Sequence, residues 1–142
     1  MQTVRKNNAD PRATMNKDLY IAPSGVPGAG RGVFTRKAIK AGETIEECPI
    51  IIFDKEDDSH ITKTLLSNYI FAYTGRASMF ALGYGSLYNH SLTPNAMYEL
   101  QEYEGLDEMH NELCITATKV IGKDEEIFIN YGPHFDKLYG GK

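Results

Sequence analysis

GYGSLYNHSLTPN, residues 83–95, interrupts a sequence that is otherwise rich in strand-forming residues. It consists of small, polar and turn-forming residues, and apolar segments typical of β-strands lie on either side of it, at residues 79–82 and 96–100. Two more segments of this kind follow, at residues 113–120 and 125–130. The pattern therefore predicts a loop crowded with polar side chains that short strands hold in place.

Upstream of this loop, a glycine-rich segment precedes two predicted strands. PSGVPGAGRG, residues 23–32, contains two Pro and four Gly in ten residues, which excludes regular secondary structure. Strands are predicted at residues 33–34 and 44–53, where β-branched residues are frequent, with a turn at residues 40–42. The glycine-rich segment is therefore predicted to be a shaped loop at the edge of a small sheet.

One helix is predicted between the strands. The charged residues 54–59 are expected to form a solvated turn, with Ser59 capping a helix that runs to about Ala72, because apolar residues follow at helical spacing. The acidic residues 101–112 are expected to form a hairpin tip. Six to nine short strands and one short helix indicate a mostly β, β-rich α+β fold, and the lack of strand–helix alternation argues against a doubly wound sheet.

Composition limits the class of protein. A chain of 142 residues fits one domain, and it has no apolar run of the roughly 18 residues that a membrane span needs. Its net charge of −4 disfavours general binding to nucleic acid and favours a positively charged partner. Cys48 and Cys114 have no CxxC spacing, so we expect reduced thiols, no cysteine-built zinc site and an intracellular location.

The chain is expected to contain one folded domain between two tails. Residues 1–17 have few large apolar residues and predict a flexible tail, residues 18–136 the domain, and residues 137–142 a Gly-rich tail. No apolar core follows the first positive charges, so we expect no secretory signal.

Four groups of residues could carry chemistry, although each also has an ordinary structural interpretation. The glycines of residues 28–32 either form a flexible turn or allow a ligand to approach the backbone. Asn89 and His90 either hydrogen-bond their own loop or recognise a heterocycle edge. Tyr69 and Tyr131 are either packed aromatic residues or hydroxyl groups at a site.

In this order, the groups resemble the motifs of the SET-domain protein lysine methyltransferases. The matching segments are GAGRGVF (28–34), GETIEEC (42–48), YNHSLTPNA (88–96) and DEEIFINYG (124–132), and the likeness is greatest to the compact viral members. The resemblance implies a β-clip fold of small sheets with a knot-like C-terminal threading. It also implies S-adenosyl-L-methionine as the cofactor and methyl transfer to a lysine of a basic protein tail. A histone is expected first, and the polycomb-type lysine of histone three is favoured.

The resemblance also assigns roles to individual residues. The catalytic residues it implies are Tyr131 and Tyr69. The cofactor-binding residues it implies are Ala29, Gly30, Arg31, Gly32, Asn89, His90, Tyr131 and Phe135. The lysine channel it implies consists of Tyr69, Cys48, Ile129 and Phe135. Asn95 is expected to brace the fold, and Glu47 to be a structural or channel-side carboxylate.

Departures from the family pattern shape the remaining expectations. Cys48 stands where most members have a tyrosine, and Ile129 replaces the Phe or Tyr that often limits the number of methyl groups, which favours multiple methylation. No cysteine-rich tail is present, so no metal is expected. The resemblance implies a homodimer in the cytoplasm or nucleus, the host nucleus for a viral protein. A non-catalytic SET-like module that binds a basic tail or the cofactor is the alternative, and a small-molecule-binding β-rich protein is a second one.

Overall fold

The computed structural model describes residues 4–7, as backbone, and residues 16–132 in full. Within these residues the chain forms mostly β-structure, as predicted. The strands are β1 (Val4–Asn7), β2 (Leu19–Pro23), β3 (Arg31–Thr35), β4 (Thr44–Phe53), β5 (Ile70–Ala72), β6 (Ser78–Ala81), β7 (Asn89–His90), β8 (Ala96–Tyr103), β9 (Glu112–Ala117) and β10 (Phe128–Ile129). The helices are α1 (Lys55–Ile61) and three 3₁₀ turns, Leu65–Tyr69, Gly85–Leu87 and Glu108–His110. Phe135 lies outside the described residues.

The chain divides into two compact units. Of the described residues, the first unit comprises 4–7, 47–86 and 99–114, and the second comprises 16–46, 87–98 and 115–132. Most residues of the six-stranded sheet, whose strand order is β1-β8-β9-β4-β6-β5, belong to the first unit. The core residues of the first unit include Cys48, Ile50, Tyr73, Met79, Ala81, Leu100, Tyr103, Leu113 and Cys114.

Strand pairing gives the first unit its register. β6 is antiparallel to both β4 and β5, with Phe80 opposite Ile51 on one side and Ile70 on the other. β1 is parallel to β8, with Val4 opposite Leu100, so four residues of the segment expected to be flexible form a strand. β8 continues to Tyr103 and β9 begins at Glu112, so the predicted hairpin tip is limited to residues 104–111.

The helix prediction was wrong in its position. The helix begins at Lys55, inside the predicted turn, because the Asp54 side chain accepts the Asp57 N–H at 3.0 Å and carboxylates are favoured at a helix N-terminus. It ends at Ile61, and Thr64 caps a separate 3₁₀ turn by accepting the Leu66 N–H. The residues that follow become β5, since their backbone pairs with β6. Apolar periodicity misled here because Leu65 and Leu66 are exposed.

The second unit contains two small sheets. β2 and β3 form an antiparallel pair with Ile21 opposite Val33, and β7 and β10 form a parallel pair. The predicted turn at residues 40–42 is confirmed, with Gly42 at φ +85°. Strand β4 has the predicted bounds of residues 44–53. The core of this unit includes the aromatic Tyr88 and the aliphatic residues Leu19, Val33, Ile39, Ile45, Ile115, Ile121, Ile127 and Ile129.

Candidate active site

The parallel pair of β7 and β10 joins two of the sequence motifs. Asn89 lies opposite Phe128 and His90 opposite Ile129, and the Ser91 N–H donates to the Ile129 carbonyl at 2.9 Å. Each strand has only two residues, so side-chain contacts beyond this short ladder must help to hold the pair together. The pairing places the NHS residues directly beside the chain that leads into Tyr131.

Tyr131 is held through both its backbone and its hydroxyl. Its N–H donates to Nδ1 of the buried His90 at 2.9 Å, and the two rings lie 5.2 Å apart at 49°. Because Nδ1 accepts this bond, the neutral imidazole carries its proton on Nε2. The Tyr131 hydroxyl donates to the Tyr88 carbonyl. Since that hydrogen is engaged, the Tyr131 oxygen acts toward a further group as an acceptor.

The Asn89 side chain connects β7 to β3. Its Nδ2 donates to the Arg31 carbonyl at 3.0 Å and to Oε2 of Glu126 at 3.0 Å. These two bonds use both amide hydrogens and fix the orientation of the side chain. The amide oxygen is therefore the part of Asn89 that can accept a hydrogen bond from a ligand.

The glycine-rich segment forms the predicted shaped loop. The Ser24 N–H donates to the Gly30 carbonyl at 2.8 Å and closes it. Gly28 and Gly30 have φ of +79° and +76°, and nothing lies within 4 Å of where a Cβ would stand on either. A side chain would be strained at both positions, and the loop backbone borders open space. Gly32 differs, because a Cβ there would lie 2.2 Å from Oε2 of Glu126.

Sequence reasoning missed two residues of this site. Glu126 is buried and accepts hydrogen bonds both from the glycine-rich loop and from Asn89. Tyr88 supplies the carbonyl that accepts the Tyr131 hydroxyl. Tyr88 also donates its own hydroxyl to Oε1 of the buried Glu46 at 2.7 Å. Both residues lie inside the quoted motifs, but the sequence does not distinguish Glu126 from its exposed neighbour Glu125.

The predicted channel residues are found in different units. Tyr69 ends a 3₁₀ turn and is half-buried, and Cys48 is fully buried in β4 of the same first unit. A Cβ on Gly85 would lie 2.9 Å from the Cys48 sulfur, so the thiol packs tightly there. Ile129 is fully buried in the second unit. The channel role of these three residues stays a prediction.

Glu47 belongs to a polar cluster in the first unit. Its carboxylate accepts from Gln101 Nε2 at 2.8 Å, and the Tyr103 hydroxyl bonds Glu112. Burial raises the pKa of Glu112 and of the Tyr103 hydroxyl above their usual ranges. These contacts fit the structural role that the sequence left open for Glu47.

Asn95 bonds the chain on both sides of Ile127. Its Nδ2 donates to the Glu126 carbonyl at 2.9 Å, and its Oδ1 accepts the Phe128 N–H at 2.8 Å. Asn95 thereby holds β10 in place, as a bracing residue should.

Over the part of the chain that the structure describes, no helix is both long and apolar enough to span a membrane.

The site residues of the second unit suit S-adenosylmethionine. The loop at Gly28 and Gly30 offers exposed backbone beside open space, Arg31 is exposed, and Asn89 has a fixed amide. The amino acid portion of S-adenosylmethionine carries an ammonium and a carboxylate, and its adenine has hydrogen-bond donors and acceptors along its edges. Backbone N–H and carbonyl groups and an oriented amide side chain can bind groups of these kinds. The residues present therefore fit the group.

Comparison with known proteins agrees with this site. Residues 30–132 match the family model of the SET domain. A histone-lysine N-methyltransferase of Schizosaccharomyces pombe, specific for H3 lysine-37, is 33% identical over 106 residues, which are 74% of this chain and 68% of that protein. The relative is thus matched over most of its length.

Solved structures agree as well. The crystal structure of a Plasmodium falciparum protein, classed provisionally as a histone methyltransferase, has a TM-score of 0.68 and 34% identity, covering 84% of this chain and 96% of that one. The Chaetomium thermophilum polycomb repressive complex 2 gives a TM-score of 0.67 at 21% identity over 85% of this chain and 16% of that one, a likeness of fold alone. A second structure of that complex, bound to S-adenosylmethionine, gives 0.64 at 22% over 86% and 16%. The chain belongs to the SET-domain family of protein lysine methyltransferases, whose cofactor is S-adenosylmethionine.

Proposed function

We propose that this chain methylates a lysine of a histone tail and that Tyr131 is its catalytic residue. The observation that carries the proposal is the fixed Tyr131 hydroxyl, which donates to the Tyr88 carbonyl while its backbone N–H donates to His90. A hydroxyl held in this way presents its lone pairs in one direction. It can accept a hydrogen bond from a lysine amine and orient that amine for reaction.

The lysine amine must be neutral to react. A free lysine titrates near 10.4, so neutralising it at about pH 7.4 costs roughly 4 kcal/mol. Burial lowers that cost, because the charged ammonium loses its water. S-adenosylmethionine supplies a methyl group on a positively charged sulfur. We assign no general base, and we propose that Tyr69, Cys48, Ile129 and Phe135 line the channel in which the amine loses its water.

A basic tail suits the charge of this protein. The net charge is −4, and the hairpin tip carries the exposed carboxylates Glu104 and Asp107. Opposite charge raises the rate of encounter with a basic peptide. The Schizosaccharomyces pombe relative acts on histone H3 lysine-37, which supports histone three as the substrate. We keep the polycomb-type lysine as the first candidate and lysine-37 as the second, and we place the protein in the nucleus as a homodimer.

To test the proposed substrate, the purified chain is incubated with labelled S-adenosylmethionine and intact histones. The reaction is then repeated with peptides that each retain one lysine. Mass spectrometry of the products then gives the target and the number of methyl groups, and we expect more than one because Ile129 carries no hydroxyl. Label on other basic proteins but none on histone three would contradict the proposed substrate. Sedimentation of the same sample tests the dimer.

Tyr131→Phe tests the catalytic assignment. Removing the hydroxyl should reduce methylation at least about 100-fold. Binding of S-adenosylmethionine should stay within about threefold, because the variant keeps an aromatic ring at this position and the backbone hydrogen bond to His90. Tyr20→Phe is the matched control, since it removes the exposed hydroxyl that bonds Asp124. Full activity in Tyr131→Phe would refute the assignment. Cofactor binding by the unmodified chain without any turnover would favour the non-catalytic module instead.

A further inference from the structure

We infer that Glu126 is a positioning residue that sets the cofactor-binding side of the site through Asn89 and the glycine-rich loop. The inference rests on the proposed function, because it concerns the same site. Glu126 lies just before β10, and its side chain is 9% exposed. A buried carboxylate is costly unless hydrogen bonds compensate it, so its partners indicate what it does.

The partners come from two separate segments of the second unit. From the loop, Ser24 Oγ lies 2.8 and 3.0 Å from the two carboxylate oxygens, and the Gly25 N–H donates to Oε1 at 3.0 Å. From β7, Asn89 Nδ2 donates to Oε2 at 3.0 Å. Glu126 thus joins the start of the loop to the asparagine of the NHS motif.

The glycine at position 32 shows how closely the carboxylate packs. A Cβ there would lie 2.2 Å from Oε2, 2.8 Å from Cδ of Glu126 and 3.1 Å from Asn89 Nδ2. Gly32 has no left-handed backbone to explain the lack of a side chain. The end of the loop is therefore a glycine because the carboxylate occupies the place of a side chain.

These contacts give Glu126 control over two cofactor-binding elements. As an acceptor, the carboxylate fixes which face of the Asn89 amide carries Nδ2, and the amide oxygen is thereby directed away from Glu126. The same carboxylate anchors Ser24 and Gly25, at the start of the loop whose left-handed glycines border open space. Glu126 acts through these groups, and no contact of its own with the cofactor is required.

The test is Glu126→Gln, which keeps the size of the side chain but turns one acceptor oxygen into a donor. That donor would face the N–H of Gly25 or of Asn89, so the hydrogen bond to the loop or the one to Asn89 must be lost. We expect the dissociation constant for S-adenosylmethionine, measured by calorimetry, to rise at least about tenfold. The kcat at saturating cofactor should stay within about threefold, because Tyr131 keeps both of its bonds. Glu125→Gln, at the exposed neighbouring carboxylate, is the matched control and should bind normally.

A purely structural carboxylate would lower the thermal midpoint without raising the dissociation constant for S-adenosylmethionine about tenfold at nearly unchanged kcat. A folded Glu126→Gln variant that binds the cofactor within twofold of the unmodified chain would overturn the inference. Should that variant not fold, Ser24→Ala removes the hydroxyl contact from the loop side and should weaken binding about threefold. Unchanged binding in Ser24→Ala would also overturn it. Failure of the unmodified chain to bind S-adenosylmethionine would instead overturn the proposed function.

Discussion

Replacing Asn95 by Ala should destabilise the second unit by an amount that the structure allows us to work out. The side chain makes two hydrogen bonds to the backbone, one to the Glu126 carbonyl at 2.9 Å and one from the Phe128 N–H at 2.8 Å. Both are partly buried. The two-residue strand β10 has few bonds of its own, so the loss of these two bears directly on its position.

Each backbone group left without a partner costs about 1–3 kcal/mol when buried. Because these groups are only partly buried, we take the lower half of that range and expect a loss of about 2–4 kcal/mol in all. A domain of this size has a free energy of unfolding of about 5–15 kcal/mol. At roughly 3 °C per kcal/mol, the thermal midpoint should fall by about 6–12 °C.

Urea denaturation followed by circular dichroism measures the loss. Asn95→Asp keeps the acceptor for the Phe128 N–H but sets a carboxylate oxygen against the Glu126 carbonyl, so it should lose at least as much free energy of unfolding as Asn95→Ala. Asn68→Ala, at an exposed asparagine, is the control and should change the free energy of unfolding by less than about 0.5 kcal/mol. A loss below about 1 kcal/mol in Asn95→Ala would refute the bracing role.

Three further predictions concern the first unit. Burial raises the pKa of Glu112 above 4.5, so the native state binds more protons than the unfolded chain, and stability is lost as pH rises through the folded pKa. As pH rises above 4.5, the free energy of unfolding should therefore fall less in Glu112→Gln than in the wild type, and exposed Glu104→Gln should behave as wild type. An equal fall in Glu112→Gln and the wild type would contradict this. Asp54→Ala should cost about 1 kcal/mol in a urea melt, because it removes the helix cap, and a cost near zero would count against that cap. Gly85→Ala should cost about 1–3 kcal/mol by the same measurement, since its Cβ would lie 2.4 Å from that of Ala81, and a neutral result would show that the turn gives way.

The helix that forms, α1, differs in position from the helix that the sequence predicted. The sequence pattern placed a helix at residues 59–72 because apolar residues recur there at helical spacing, yet Leu65 and Leu66 are exposed. The helix that forms begins four residues earlier, where Asp54 provides a cap and no apolar stripe is present. A cap is a local interaction and could have been read from the sequence, whereas the pairing of β5 with β6 depends on a partner strand.

The candidate active site likewise combines features that the sequence predicts with contacts that only the folded chain shows. The order of the motifs predicts that the loop at residues 28–32, Asn89, His90 and Tyr131 belong to one site, and the structure brings these residues into one unit. Their spacing along the chain did not reveal what holds them. Glu126 looks like Glu125 in the sequence, and only the folded chain shows that one carboxylate is buried and the other exposed.

The sequence by itself determined the family, the β-rich class and the identity of the chemical groups, because these depend on residue types and their order. The tertiary structure alone decided that the Tyr131 hydroxyl donates to the Tyr88 carbonyl, that Asn89 is oriented by Glu126, and that Gly32 makes room for a carboxylate. Each of these contacts joins residues far apart in the chain. Such contacts form only when burial of the surrounding strands places both partners within hydrogen-bond distance, and no local pattern records which partner that will be.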